Sequence, residues 1–421
     1  MISTETSQFK SQGSTLKSKV CAGLLRGTPT WKLLLAFWIF TSPLVASSQI
    51  DSASATLQQD SVAPQTLQVK GQVSAYANYN FSNDLNMLLG GNFLPELVYS
   101  IPLKKKQLID FDFTANVFGS VNFHPFDTAV DKGDVQSYRA WARYSGKQFE
   151  IRAGLQKINF GSAMSLRPLR WFDQVDPRDP LSLTAGVWGL LGRYYFLNNA
   201  NVWLWGLYGN ENPKGWEVTS TYEQIPEFGG RFQHPVPKGE LAVTYHHRST
   251  DSRNLGVDSL AKINNPENRI GLDGKWDLGV GVWFEASHSF KDQNIGIFTN
   301  QTLINIGMDY TFGVGNGINV IGEHLITSFD EKALQFTKPL HITALTASYP
   351  IGMFDNLSTV LYYDYQSQSV LTFLNYQRSL KLFTLYVMLY LNPDDQGQIQ
   401  ENDLINNFNG QGVQVMVVYN F

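Results

Sequence analysis

Between residues 67 and 82 the chain alternates. Val69, Gly71, Val73, Ala75, Ala77, Tyr79 and Phe81 fall on one side; Gln68, Lys70, Gln72, Ser74, Tyr76, Asn78 and Asn80 fall on the other. A period of two puts successive side chains on opposite faces of a β-strand. The stretch 107–123 repeats the pattern, with Ile109, Phe111, Phe113, Ala115, Val117 and Val121 against Asp110, Asp112, Thr114, Asn116, Ser120 and Asn122. So does the last segment, where Val413, Val415, Val417, Tyr419 and Phe421 alternate with Gln414, Met416, Val418 and Asn420. The same reading predicts strands near 67–82, 93–103, 107–123, 134–145, 148–158, 186–198, 201–211, 226–236, 239–250, 267–276, 279–291, 300–312, 317–328, 338–350, 355–367, 369–378, 381–392 and 410–421. That makes eighteen, with sixteen as the alternative count, because short period-two segments are weak signals.

The connections carry a second rhythm. Lys104–Lys106, Ser145–Lys147, Asn198–Ala200, Pro235–Lys238, Asp277–Leu278, Gly313–Asn316 and Ser379–Leu380 read as tight turns. The interleaved connections 83–92, 124–133, 159–185, 212–225, 251–266, 329–337 and 393–409 are longer. Short turns at one end and long loops at the other are expected of an antiparallel barrel crossing a bilayer. The link near Gln368 does not fit this rhythm. The expected fold is all-β: a transmembrane antiparallel β-barrel of about eighteen strands with long external loops. A β-sandwich also alternates, but it needs neither an export signal nor a terminal strand with aromatic flanks. A propeller or β-helix needs a fixed repeat, and the sequence holds none that we find.

Composition agrees. Of 421 residues, 43% are hydrophobic, 13% aromatic and only 16% charged. Few charges and many rings suit a wall facing lipid and its two interfaces. A formal net charge of −4 argues against nucleic acid as a partner. Lys10, Lys17, Lys19, Arg26 and Lys32 precede the apolar run Leu33–Val45, and Ala46-Ser47-Ser48 offers small residues for a signal peptidase. The expected organisation is a signal peptide at 1–48, a short periplasmic linker at 49–66 and the barrel at 67–421. The apolar run is too short for a spanning helix and is broken by Pro43. The single cysteine, Cys21, precedes the run, so removal of the signal leaves neither disulfide nor Cys–metal chemistry.

The ending VQVMVVYNF resembles the terminal signature of bacterial outer-membrane β-barrels, whose aromatic last residue is read by the barrel assembly machinery. The resemblance implies residence in the outer membrane of a Gram-negative cell, with outer-membrane lipid and that machinery as partners through Phe421. Self-association into a homo-oligomer is compatible with it.

If the apolar face meets lipid, the other face lines the lumen. Its basic members are Lys70, Arg139, Arg143, Arg152, Arg193, Arg248, Arg269 and Lys275; its acidic members are Asp110, Asp112, Glu150, Glu240, Asp273, Glu285, Asp309, Glu323 and Asp364. So charged an interior is either wet or paired. Arg139, Arg143, Arg152 and Arg193 sit on strands four to six, whereas Glu285, Asp309, Glu323 and Asp364 sit on strands eleven to fifteen, roughly across a ring of eighteen. Opposed walls of this kind set a transverse field over a pore. Local pairing, for example of Asp110 and Asp112 with Arg139, is the alternative, and the two are compatible.

The 159–185 connection is the longest and carries Arg167, Arg170, Trp171, Phe172, Asp173, Asp176, Arg178 and Asp179. Pro168, Pro177 and Pro180 make it irregular and stiff. Loops of this length inside compact structures are usually functional or disordered, and this one is too aromatic for a disordered segment. It is expected to fold into the lumen as a constriction loop; a surface loop tied by its own Arg–Asp pairs is the alternative. Its strand-then-Phe160-Gly161 start followed by an acidic, Pro-rich stretch resembles a segment of Bacteroidota porin-like and alginate-export-type channels. The likeness covers some thirty residues and carries no catalytic motif.

Enzyme readings find less support. The seven histidines are His124, His234, His246, His247, His288, His324 and His341. Adjacent His246 and His247 point to opposite faces, and His288 and His324 carry the lipid-facing parity. Interfacial, structural histidines account for them all. No hydrolase-type Ser motif, Gly-rich phosphate loop or HExxH occurs. No cofactor or metal is implied. The expected function is passive diffusion of small hydrophilic solutes through a porin-like channel, with no enzyme activity. The alternatives are a non-conducting barrel serving as a structural or assembly partner, and a membrane-embedded hydrolase.

Overall fold

The structure is a computed structural model, and it describes residues 66–82, 87–124, 129–257, 260–393 and 408–421. All belong to the compact unit Asp60–Phe421. The expected signal peptide and all of the linker but Thr66 lie outside the described residues.

The strands are β1 (Thr66–Asn80), β2 (Met87–Leu103), β3 (Gln107–Phe123), β4 (Ala129–Ser145), β5 (Phe149–Gln156), β6 (Val187–Tyr195), β7 (Asn201–Leu207), β8 (Ser220–Thr221), β9 (Glu227–Val236), β10 (Gly239–Asp251), β11 (Asn265–Asp277), β12 (Gly281–Lys291), β13 (Asn300–Phe312), β14 (Ile318–Asp330), β15 (Leu340–Pro350), β16 (Asp355–Asp364), β17 (Ser369–Ser379), β18 (Phe383–Leu391) and β19 (Gln411–Asn420). Every pairing between them is antiparallel, and each stave bonds its sequence neighbours. The two-residue β8 bonds only β10 and is not part of the wall, so β7 pairs directly with β9. The ring closes where β1 pairs with β19, from Gln72 opposite Asn420 to Asn80 opposite Gly412. The result is a closed barrel of eighteen staves. Closure matters because it leaves no unpaired sheet edge along the seam.

The eighteen predicted strands coincide with these staves, with boundaries shifted by a few residues. The irregular link near Gln368 is a four-residue turn, 365–368, in which Gln368 takes a left-handed φ of 51°. Periodicity could not reveal β8, because two residues have no period.

The pleat sorts the side chains as expected. On the outer face Val69 is 67% exposed, Leu204 64% and Ile306 59%. On the inner face Asn78, Glu285 and Asn305 are buried. At the seam, Phe421 exchanges both backbone hydrogen bonds with Gly71, at 3.0 Å each. The Phe421 ring lies over Gly71 so closely that a Cβ there would sit 2.4 Å from Cζ. Only glycine fits that crossing without a shift.

The inner wall is not uniformly polar. On β13 to β18 it presents Leu303, Leu325, Ile342, Tyr362, Leu371, Phe373, Met388 and Tyr390, a cluster closed over by Leu166, Phe408 and Trp216. A second interior cluster joins Ile158, Phe160, Leu169, Trp171 and Phe172 to Val187, Leu191, Trp205 and Leu207. Both form where connecting segments turn inward and bury apolar side chains that period-two counting assigned to no face.

Candidate functional site

The segment between β5 and β6, residues 157–186, runs inside the barrel. Its backbone meets inward carboxylates on the far wall. Glu323 of β14 accepts the N–H groups of Met164, Ser165 and Leu166 at 2.6, 2.9 and 2.6 Å. Glu285 of β12 accepts those of Ala163 and Leu169 at 2.7 and 3.3 Å. Successive N–H groups converging on one point make an anion-binding concavity. Here the barrel's own glutamate fills it. Asn305 of β13 donates to the Leu166 carbonyl at 2.8 Å, and the Trp171 indole donates to Ser287 of β12 at 3.1 Å. Counted around the ring, β5 and β14 are eight steps apart one way and ten the other, so these bonds span the interior. Gly161, at φ 97°, passes so near Glu285 that a Cβ would stand 2.3 Å from Oε1.

The loop also holds itself together. Arg167 makes a two-pronged contact with Asp173, at 2.9 and 3.1 Å, and reaches Asn159. Arg178 grips Asp176 through Nε and Nη2, both at 2.8 Å. Asp179 caps the backbone N–H groups of Leu181 and Leu183. Burial raises the Asp179 carboxyl above its ordinary value, against the lowering by those two donors. Arg170 donates to the Val175 carbonyl at 3.0 Å and lies over the Trp216 ring. Burial pulls its guanidinium down to about 10, which leaves it charged at neutral pH. Trp171 and Phe172 join Phe160, Trp205 and His246 in one aromatic group. Of the eight loop residues singled out from sequence, Arg167, Arg170, Trp171, Phe172, Asp173 and Asp176 are buried. They build the loop, whereas Arg178 and Asp179 stay partly exposed.

The inner wall beside the loop carries three charge groups. On β3 to β6, Arg143 bonds Asp110 through Nε and Nη2 at 2.9 and 2.7 Å, and Arg152 bonds Glu150 at 2.8 Å. Arg143 and Arg193 each approach Glu150 at 3.8 Å. Three guanidiniums thus share two carboxylates, and Arg152 and Arg193 also lie over the faces of Trp141 and Trp203. Arg139 lies apart from this group; its guanidinium donates to the carbonyls of Tyr138 and Thr184. Its bond to Thr184 ties it to the loop's exit rather than to Asp110, which takes Arg143.

The second group, on β9 to β12, is buried. Arg231 forks onto Asp273 at 2.6 and 2.7 Å. Arg248, Arg269 and Lys291 surround Glu267 and Glu217, with contacts of 2.6 to 3.0 Å. Glu217 comes from the connection 208–226, so this network clamps a second inward segment. That segment meets the first where the Trp216 indole donates to the Arg167 carbonyl at 2.8 Å. In the third group His246 stands inward on β10 between Glu227 and the Trp205 indole, at 3.1 and 3.2 Å. It is a fully buried lumen-side residue, not an interfacial one.

Sequence reasoning missed Arg231, Glu217, Glu227, Glu267 and Lys291. For Arg231 a signal existed: Phe228 and Phe232 point outward, so the odd positions of β9 point in. Glu217 had none, because its position depends on a loop fold. The remaining residues singled out from sequence have specific places. Asp309 is partly buried on the inner face of β13, and Asp364 accepts from Gln366 and Ser367 to form the β16–β17 turn. Among the described residues no group of three or more His, Cys, Asp and Glu side chains is placed to hold a metal ion.

No protein-family model matches the sequence, and no curated protein matches it. Solved structures do share its fold. OccD3 (OpdP) of Pseudomonas aeruginosa superposes with a TM-score of 0.53 at 10% identity, over 86% of this chain and 91% of that one. OccK5 (OpdH) of the same organism gives 0.52 at 10%, over 84% and 98%. OccAB4 of Acinetobacter baumannii gives 0.51 at 10%, over 86% and 100%. The fold is therefore a porin-like barrel of the size these chains adopt.

Proposed function

We propose that this barrel sits in the bacterial outer membrane and conducts small hydrophilic solutes by passive diffusion. One observation carries the reading: a closed eighteen-stave wall whose outer face is apolar and whose inner face carries charges around an inward-folded loop. Only helices and closed barrels satisfy every backbone group in lipid, and a barrel of this size is wide enough to hold water. In this reading the 157–186 segment narrows the passage. Arg139, Arg143, Arg152 and Arg193 outnumber Asp110, Asp112 and Glu150 on this arc, so this side of the passage favours anions. The kinship with Bacteroidota porin-like and alginate-export-type channels, suggested by the stretch around Phe160-Gly161, belongs to the same proposal. So do assembly through the strand ending at Phe421, association into a homo-oligomer, and the absence of enzyme activity.

The test is reversal potential under a salt gradient in planar bilayers. Replacing Arg139, Arg143 and Arg152 together by glutamine moves it toward cation preference. An unchanged potential removes these arginines from the selectivity account. A wild-type barrel that inserts but passes no current favours the non-conducting, structural reading.

A further inference from the structure

We propose that His324 and His341 form a two-imidazole site for a divalent transition-metal ion on the outer wall of the barrel. Both side chains point outward, from adjacent strands β14 and β15. His324 Nε2 and His341 Nδ1 are 3.2 Å apart. Two nitrogens bound at about 2.0–2.1 Å to one ion stand roughly 2.9 Å apart at a right angle and roughly 3.4 Å apart at the tetrahedral angle. The observed separation falls inside that window; the two nitrogens face one another across the hydrogen bond, so binding one ion needs both rings to turn until their lone pairs converge, with the nitrogens staying where they are.

The surroundings fix which nitrogen is free. His324 Nδ1 lies 2.9 Å from the Thr343 hydroxyl, and Thr343 donates to the Tyr365 hydroxyl at 3.2 Å. With its hydrogen directed at Tyr365, the threonine oxygen accepts from His324 Nδ1–H. That leaves the lone pair of His324 on Nε2, facing His341. This is the outer-shell support that metal-bound histidines use. Without metal, His341 Nδ1–H donates to His324 Nε2. An ion takes that proton's place, and the His341 proton moves to Nε2, a tautomer change that is itself neutral; the two positive charges the ion brings are carried by the ion and its water ligands. The Tyr365 ring stands edge-on to both imidazoles, at 5.8 and 6.3 Å between centroids.

The site is reachable from water. Tyr365 opens the 365–368 turn, and its N–H bonds the His341 carbonyl at 3.2 Å. A bilayer cannot extend past the turn of a neighbouring stave, so the pair lies at the rim. Other outward histidines share the polar support but have a phenylalanine, not a second imidazole, as their ring neighbour: His288 bonds Thr302, and His247 bonds Asn268, each at 2.9 Å. Two imidazoles completed by water prefer copper(II), nickel(II) or zinc over magnesium or calcium, with copper(II) tightest.

The test uses the full-length barrel without a histidine tag, in detergent, titrated with copper(II) and followed by calorimetry and electron paramagnetic resonance. The expected result is one copper(II) per chain with nitrogen hyperfine structure from two imidazoles. His324→Gln and His341→Gln each weaken binding at least tenfold, and His288→Gln leaves it unchanged. Heat-modifiable electrophoretic mobility reports that each variant is folded, and either single variant suffices if the other fails to assemble. No binding above the detergent blank overturns the proposal. So does binding that survives both substitutions.

Discussion

Glu323→Gln isolates the grip of the wall on the inward loop. The carboxylate receives three backbone N–H groups, from Met164, Ser165 and Leu166, at 2.6 to 2.9 Å. A hydrogen bond to a charged group contributes about 1.5–3 kcal/mol. Glutamine keeps one acceptor oxygen, which in the place of Oε2 still receives Ser165 and Leu166, and turns its NH2 toward the Met164 N–H, so at least one of the three bonds goes. The expected loss is at least about 1.5–3 kcal/mol of loop anchoring, a shift of roughly 10- to 150-fold toward the released loop. The remaining ties, through Glu285, Asn305 and the Trp171–Ser287 bond, stay intact. The substitution therefore loosens the 164–166 stretch without unfolding the wall. Two assays read it. Single-channel recordings should show larger and noisier conductance steps, and limited trypsin should cut after Arg170, which is buried in the wild type. Conductance, noise and cleavage all equal to the wild type would refute the reasoning, because the glutamate would then be a bystander to the loop.

Other substitutions probe other joints. Gly71→Val drives a side chain into the Phe421 ring at the closing seam, so the yield of heat-modifiable, folded barrel should fall; wild-type yield contradicts the seam argument. Glu217→Gln leaves Arg248, Arg269 and Lys291 with Glu267 alone. Breaking such a buried cluster costs about 3–5 kcal/mol, read as a lowered thermal midpoint of the barrel, and an unshifted midpoint counts against the clamp. Trp171→Ala empties the centre of the aromatic group and drops the bond to Ser287, a loss of about 3–5 kcal/mol for a buried tryptophan, seen as faster hydrogen exchange across 160–172.

The wall was legible in the sequence because one rule governs it. Each stave needs an apolar face to lipid and obeys a period of two, so Val69, Phe113 and Ile306 declare the outside and Asn78, Asp110 and Glu285 the inside. The interior obeys no such rule. That Glu285 and Glu323 face inward could be counted, but that they receive backbone N–H groups from a loop over 100 residues away could not. The opposed acidic wall expected from sequence is thus partly spent on holding the loop. The apolar inner patch on β13 to β18 was hidden for the same reason, since Leu166, Trp216 and Phe408 cover it from connections without periodicity. Local pairing, weighed beside a transverse field, describes Arg143 with Asp110 and Arg152 with Glu150. It does not describe Arg139, whose bonds go to backbone carbonyls.

The central claim is a water-filled path through the barrel past the 157–186 loop. Planar-bilayer recording of the purified wild-type protein tests it most directly. The account predicts discrete, voltage-sustained conductance steps on insertion, with a reversal potential on the anion side. Insertion without any conductance above the bare bilayer would contradict it.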